Sequence, residues 1–149
     1  MSQIGYAMQF KGSAGPKEGK ENELWAKSGS TTNGLSTALG AGGPTLSIDE
    51  AAGQRASFTS NVQMLEDGSF TEDGTIDFGE AGTIDFSTIG TGWMGPSAVD
   101  GLTHGGISWR IDGGTGPLAG ATGIITSNFT VSGAGEVTDN QWGVIFVGD

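Results

Sequence analysis

Residues 111–123 read Ile111-Asp112-Gly113-Gly114-Thr115-Gly116-Pro117-Leu118-Ala119-Gly120-Ala121-Thr122-Gly123 and join two stretches in which apolar and polar residues alternate. Five of these thirteen residues are glycine, which reaches positive φ angles without the steric cost of a Cβ atom. The small side chains of Ala119, Ala121 and Thr122 also allow two backbone segments to approach closely. The segment therefore predicts a tight corner between two antiparallel strands.

The alternation on either side of the corner has the two-residue period of a half-buried β-strand. Before the corner, Ile107, Trp109 and Ile111 share one face, which places Arg110 on the opposite, outward face. The same period predicts strands at residues 4–10, 24–26, 56–64, 75–82, 83–90, 107–112, 124–131 and 142–147. No continuous helical period appears, so the chain is predicted to be all-β, either a barrel or a sandwich.

Two stretches between these strands are rich in glycine and polar residues. Residues 12–21 and 28–43 are predicted as loops, the second of them mobile, with Asn33-Gly34 as a tight-turn signal. The last predicted strand differs from the others because residues 142–147 are apolar on both faces. One face can fill the interior while the other needs a partner surface, which predicts a homo-oligomer.

The corner resembles the corresponding hairpin of the allene oxide cyclase barrel and dirigent-like superfamily, whose bacterial members include small cyclases of spirotetronate biosynthesis. The matching residues are Gly113, Gly114, Thr115, Gly116, Gly120, Ala121 and Gly123, with Leu118 where an aromatic residue is usual. The match covers about the C-terminal quarter of the chain. Because the matching residues form a structural corner, they are better evidence for the fold than for the chemistry. It implies a closed antiparallel barrel of about eight strands, often oligomeric, whose lumen holds an apolar small molecule. No catalytic residue of the family maps onto this sequence.

Composition sets the class of protein and of partner. The 149 residues are expected to form a single domain, 1–149, and 29 glycines with only 35% apolar residues predict a thin core or one wrapped around a cavity. The net charge of −11 comes without a basic stripe, which argues against nucleic acid and against an anionic membrane surface as partners. The absence of cysteine excludes disulfides, thiolate zinc sites and cysteine nucleophiles.

The beginning of the sequence lacks a basic segment followed by an apolar run, and no apolar window approaches the ~18 residues of a membrane helix. The predicted location is therefore cytoplasmic, or secreted if a leader was removed.

Candidate catalytic residues are the polar side chains that could face a lumen. His104 is the single histidine, so a multi-histidine metal site is excluded, and its ordinary pKa of ~6.5 suits acid–base work. Tyr6 lies on the apolar face of the first strand, and Arg55 could offset a substrate anion. The residues expected to shape a ligand site are Trp25, Phe58, Trp93, Met94 and Trp109.

Seven acidic residues crowd residues 66–85, where a calcium site is conceivable, but a solvated set of hairpins is the favoured interpretation. The set comprises Glu66, Asp67, Glu72, Asp73, Asp77, Glu80 and Asp85. The leading functional hypothesis is an isomerase, cyclase or lyase that needs no cofactor or metal and acts on an apolar small molecule in the barrel. The alternatives are a noncatalytic small-ligand binding protein and a structural or adhesive β domain.

Overall fold

A computed structural model describes residues 1–50 and 56–148, which fold into β-strands and two short 3₁₀ turns. The strands are β1 (Ser2–Pro16), β2 (Glu23–Ser30), β3 (Thr32–Gly40), β4 (Gly43–Glu50), β5 (Ser57–Met64), β6 (Phe70–Asp77), β7 (Thr83–Thr88), β8 (Trp93–Pro96), β9 (Leu102–Gly114), β10 (Thr122–Ser132) and β11 (Glu136–Val147). The 3₁₀ turns are Gly79–Ala81 and Gly116–Leu118. The predicted all-β class is confirmed.

The main sheet closes into an antiparallel barrel. Its strands follow the order β10-β11-β1-β2-β5-β6-β7-β9-β8, and an additional pairing of β9 with β10 joins the two ends. β7 and β8 occupy one strand position, here called a wall of the barrel, because both pair antiparallel with β9. β8 continues where β7 ends: Thr88 of β7 lies opposite Trp109, and Trp93 of β8 lies opposite Gly106. The barrel therefore has eight walls, and the prediction of a barrel of about eight strands is confirmed.

The corner at residues 111–123 has the predicted geometry. Gly113, Gly116, Gly120 and Gly123 have φ angles of 135°, 58°, 72° and 131°, which residues with a Cβ atom rarely adopt. Gly114 is required for a different reason, since a Cβ there would lie 2.3 Å from the Thr83 carbonyl oxygen. The prediction of a tight corner is confirmed.

The predicted loop at 28–43 is wrong over most of its length, and the one at 12–21 is wrong over its first half and confirmed at 17–21. Residues 12–16 continue β1, where glycine serves close approach: a Cβ on Gly12 would lie 2.0 Å from the Lys27 carbonyl oxygen. Residues 32–40 form β3, which pairs with β4 in a separate two-stranded ribbon. In the chain this ribbon lies between β2 and β5, which pair directly with each other. Asn33-Gly34 lies inside that ribbon at a register shift and makes no tight turn.

Side chains fill one half of the barrel interior. Phe58 and Phe86 stack there with ring centroids 5.4 Å apart, and Trp109 packs at a tilt against Phe86 at 4.3 Å. Ile107, Trp109 and Ile111 are buried while Arg110 is exposed, as the alternation predicts. The other half, toward the connections at 17–22, 65–69 and 133–135, is incompletely filled.

Candidate functional site

The incompletely filled half of the lumen is a cavity with apolar walls and two carboxyl groups. Its empty volume is about 570 Å³ including the adjoining solvent, and the centre of a water molecule can occupy about 80 Å³ of it. Since a single water needs roughly 10–15 Å³ by this measure, the enclosed part has room for several waters, and a larger occupant would extend into the adjoining solvent. Its lining includes Phe58, Val62, Phe70, Glu72, Met94, Ser127, Phe129, Val131, Val137 and Asp139.

Glu72 lies on β6 and faces the cavity, with only 8% of its surface exposed. Ser60 on the neighbouring strand β5 donates a hydrogen bond from Oγ to Glu72 Oε2 at 2.5 Å. The Trp109 indole N–H interacts with the same carboxyl and lowers its pKa, but makes no hydrogen bond of standard geometry. Burial outweighs both donors and, with the charge of Asp139, raises the pKa of Glu72 from 4.5 to about 8.

Asp139 lies on β11 and is 5% exposed. Its Oδ1 accepts from Ser127 Oγ at 2.5 Å, and its Oδ2 accepts from Gln141 Nε2 at 2.7 Å. Gln141 in turn accepts through Oε1 from the Tyr6 hydroxyl at 2.8 Å. Burial raises the pKa of Asp139 from 3.8 to about 6, although the two side-chain donors stabilise the carboxylate and lower it.

The two carboxyl groups lie on opposite walls of the lumen. Between β6 and β11 there are three intervening walls in either direction around the eight-walled barrel. Each carboxyl accepts from a serine on the preceding strand of its hairpin, Ser60 for Glu72 and Ser127 for Asp139. An occupant of the cavity would therefore lie between two buried acids whose pKa values are both raised, that of Glu72 more than that of Asp139.

Four of the predicted site residues lie in or behind this cavity. Phe58 and Met94 line it. Tyr6 is a layer further away, buried against Phe78 and linked to Asp139 through Gln141, and burial together with the Asp139 charge raises the pKa of its hydroxyl well above the ordinary value. Trp109 is fully buried behind Glu72.

Three other predicted site residues lie outside the lumen. Trp25 is on the outer face of β2, where its ring covers Gly15. Trp93 is 60% exposed and meets His104 edge to face on the outer surface, at a ring-centroid distance of 5.4 Å. The expectation that these three residues face a ligand in the lumen is therefore wrong. The inward-facing side chains of β2, β8 and β9 include Ala26, Met94 and Trp109 instead. Arg55 lies outside the described residues.

Glu72 and Asp139 are not among the residues predicted for the site. Glu72 belongs to the acidic set predicted to be solvated, but its strand places every second residue, including Phe70 and Ile76, inside the barrel. The detectable signal is a repeated spacing: Ser60 and Ser127 are each followed twelve residues later by an acid on the inward face of the next strand. Among the described residues, no three His, Cys, Asp or Glu side chains come together in a way that could hold a metal ion.

Comparisons with protein-family models, curated proteins and solved structures return no match. The resemblance of residues 113–123 to the allene oxide cyclase and dirigent-like superfamily therefore stays a prediction. Within the part of the chain that the structure describes, no helix has the length and apolar character needed to cross a membrane.

Proposed function

We propose that this protein is an isomerase, cyclase or lyase that acts, without a cofactor, on an apolar small molecule bound in the barrel lumen. The observation that carries the proposal is the placement of Glu72 and Asp139 on opposite walls of one cavity. Enzymes that run acid and base chemistry together separate the pKa values of two groups by their environments. Here the pKa values of about 8 and about 6 assign the acid to Glu72 and the base to Asp139.

The rest of the cavity supplies shape. Phe58, Phe70 and Phe129 line it beside aliphatic side chains, which suits a flat or ring-shaped apolar substrate. Such walls hold the substrate in one orientation and exclude water from the reacting atoms, so proton transfer between fixed groups becomes effectively unimolecular. General acid and base groups placed in this way each contribute ~10²–10⁴-fold to a rate.

The proposal predicts a conversion that depends on Asp139. An organic-solvent extract of cells that contain the protein is incubated with the purified wild type and analysed by chromatography and mass spectrometry. An isomerase or cyclase replaces one compound by another of equal mass, and a lyase replaces it by two smaller ones. We expect Asp139→Asn to lower the conversion by ~10²-fold or more, because the variant lacks the base. Asp112→Asn, which changes an acid at the exposed Arg110–Asp112 ion pair, should convert the compound at the wild-type rate.

A second pair of variants tests whether the lumen is the site. Ala26 lines the cavity, so Ala26→Phe should block it, while Ala98→Phe changes an exposed alanine and is the matched control. Conversion by Ala26→Phe at the wild-type rate would contradict a reaction in the lumen. A compound that the wild type retains unchanged would instead identify a noncatalytic ligand-binding protein.

The homo-oligomer is also a proposal, supported by the outer face of β10 and β11. Ile124, Trp142 and Phe146 are 52%, 39% and 37% exposed there, next to Val144, on a chain whose net charge is −11. We expect sedimentation to show an oligomer of the wild type that Trp142→Asp converts to monomers, because the new charge would be buried between copies. Trp93→Asp, at the exposed tryptophan of β8, should leave the oligomer intact. A monomeric wild type would contradict this proposal.

A further inference from the structure

We infer that the substrate is an apolar carbonyl compound, whose oxygen accepts a hydrogen bond from Glu72 while a C–H next to the carbonyl faces Asp139. This inference rests on the proposed function, and it adds the chemical class of the substrate and the bond that breaks. It rests on the hydrogen bonds that the carboxyl oxygens of Glu72 and Asp139 already make, and on the apolar residues that line the cavity around them.

Among the described residues, Glu72 makes one side-chain hydrogen bond of standard geometry, in which its Oε2 accepts from Ser60. The Trp109 indole N–H also interacts with the carboxyl from behind, and Glu72 lines the cavity, so an occupant can reach the carboxyl from the lumen. The remainder of the wall around it is apolar, with Phe70, Met94 and Val62 as neighbours in the lining. A buried carboxylic acid needs an acceptor for its O–H, and leaving that donor unpaired is unfavourable. At Oε2 the Ser60 hydroxyl can be that acceptor, whereas at Oε1 a carbonyl oxygen that enters the cavity would be the acceptor.

Three kinds of occupant fit less well than a carbonyl compound. An anion would meet two carboxyl groups, and Lys27, the lysine among the lining residues, is exposed to solvent rather than buried against them. A hydrocarbon has no acceptor for Glu72. An alcohol has one, but its hydroxyl does not make the neighbouring C–H acidic. A carbonyl oxygen accepts the hydrogen bond and acidifies the adjacent carbon, which gives Asp139 on the far wall a proton to remove.

The reaction that follows is balanced by the two carboxyl groups alone. Asp139 takes the proton from the carbon next to the carbonyl, and the C–H electron pair becomes the C=C bond of an enol. The π pair of the C=O moves to oxygen, which takes the Glu72 proton. Glu72 then recovers that proton as the C=O forms again, and Asp139 returns its own proton to the same carbon or to a conjugated one. The substrate is thereby isomerised, or it gains a solvent hydrogen at that carbon when the Asp139 proton exchanges with solvent before it is returned, and no oxidant, reductant or co-reactant is consumed.

The test uses 2-indanone, a ring ketone with acidic C–H bonds, and indane, the hydrocarbon of the same shape. The full-length protein is mixed with each in deuterated buffer, and NMR measures binding and the incorporation of deuterium next to the carbonyl. We expect the ketone to bind at least ~10-fold more tightly than indane. We also expect exchange at least ~100-fold faster than in buffer alone.

Variants separate the two roles. Asp139→Asn should bind 2-indanone but lose the accelerated exchange, whereas Glu72→Leu should lose the preference for the ketone over indane. Asp73→Asn, which changes the exposed acid next to Glu72, is the matched control and should behave as wild type. The pH profile of exchange by the wild type needs no variant. It should rise as Asp139 ionises near pH 6 and fall as Glu72 ionises near pH 8.

Each outcome decides the inference. Equal binding of ketone and hydrocarbon would overturn the assignment of a carbonyl substrate while leaving the lumen as a binding site. Tight ketone binding with exchange no faster than in buffer would overturn Asp139 as the base. Failure of both compounds to bind the wild type would overturn the assignment of a ring ketone as substrate, while the extract experiment with Ala26→Phe tests the lumen site independently.

Discussion

Replacing Glu72 with glutamine is expected to stabilise the protein in alkaline solution. Burial in the lumen raises the pKa of Glu72 from 4.5 to about 8, so the folded protein holds a proton that the unfolded chain releases. The stability contributed by that proton is fully present below about pH 4.5 and is lost as the pH rises through about 8. Glutamine has the shape of the protonated side chain, can accept from Ser60 and does not titrate.

The expected size follows from the same linkage. The change of pKa from 4.5 to about 8 corresponds to ~5 kcal/mol over the full range. Urea unfolding at about pH 5 and about pH 9 should therefore show the stability difference between Glu72→Gln and wild type moving by ~4 kcal/mol in favour of the variant. Asp73→Asn removes an exposed acid from the next position of β6, whose charge is the smallest of the causes that raise this pKa, and should show a far smaller change. A difference that stays constant with pH would contradict the assignment of Glu72 as a protonated group in the folded state.

Truncation of Trp109 to alanine is expected to cause the largest loss of stability in the barrel core. The ring is fully buried and packs against Phe58 and Phe86 at centroid distances of 5.6 Å and 4.3 Å. Removing such a ring leaves a cavity that the sheet cannot close, which costs about 3–5 kcal/mol. Thermal or urea unfolding of Trp109→Ala measures the loss.

The matched control is Trp93→Ala, because Trp93 belongs to β8, which pairs with β9, but lies outside the barrel at 60% exposure. This change is expected to cost roughly 1 kcal/mol or less. Comparable losses for the two tryptophans would contradict the placement of one inside and the other outside.

The barrel was largely predictable because its signals are local. Alternation over 56–64, 107–112 and 124–131 has the strand period, and the glycines of 111–123 reveal positive φ angles through the residue type itself. The β3–β4 ribbon was not predicted because a segment rich in Ser, Thr and Gly shows little alternation of apolar and polar residues, whether it forms a strand or a loop. Gly12 shows a related ambiguity: glycine marks a turn in one place and a close backbone approach in another.

The candidate site was less predictable, because it depends on which face of each strand turns inward. Trp25 and Trp93 were expected in the lumen as large aromatic residues, but their positions in the alternation place them outside. Glu72 and Asp139 were missed because an acidic residue is ordinarily solvated. Only closure of the barrel brings the two acids, sixty-seven positions apart in the chain, to opposite walls of one cavity.

The sequence by itself determined an all-β chain with a glycine corner at residues 111–123, since strand period and backbone freedom are properties of neighbouring residues. Tertiary structure decided that Glu72 and Asp139 face each other in an apolar cavity and that His104 lies outside it. The physical reason is that desolvation, which raises the pKa values of both acids, arises from residues distant in the chain. No local pattern records that environment.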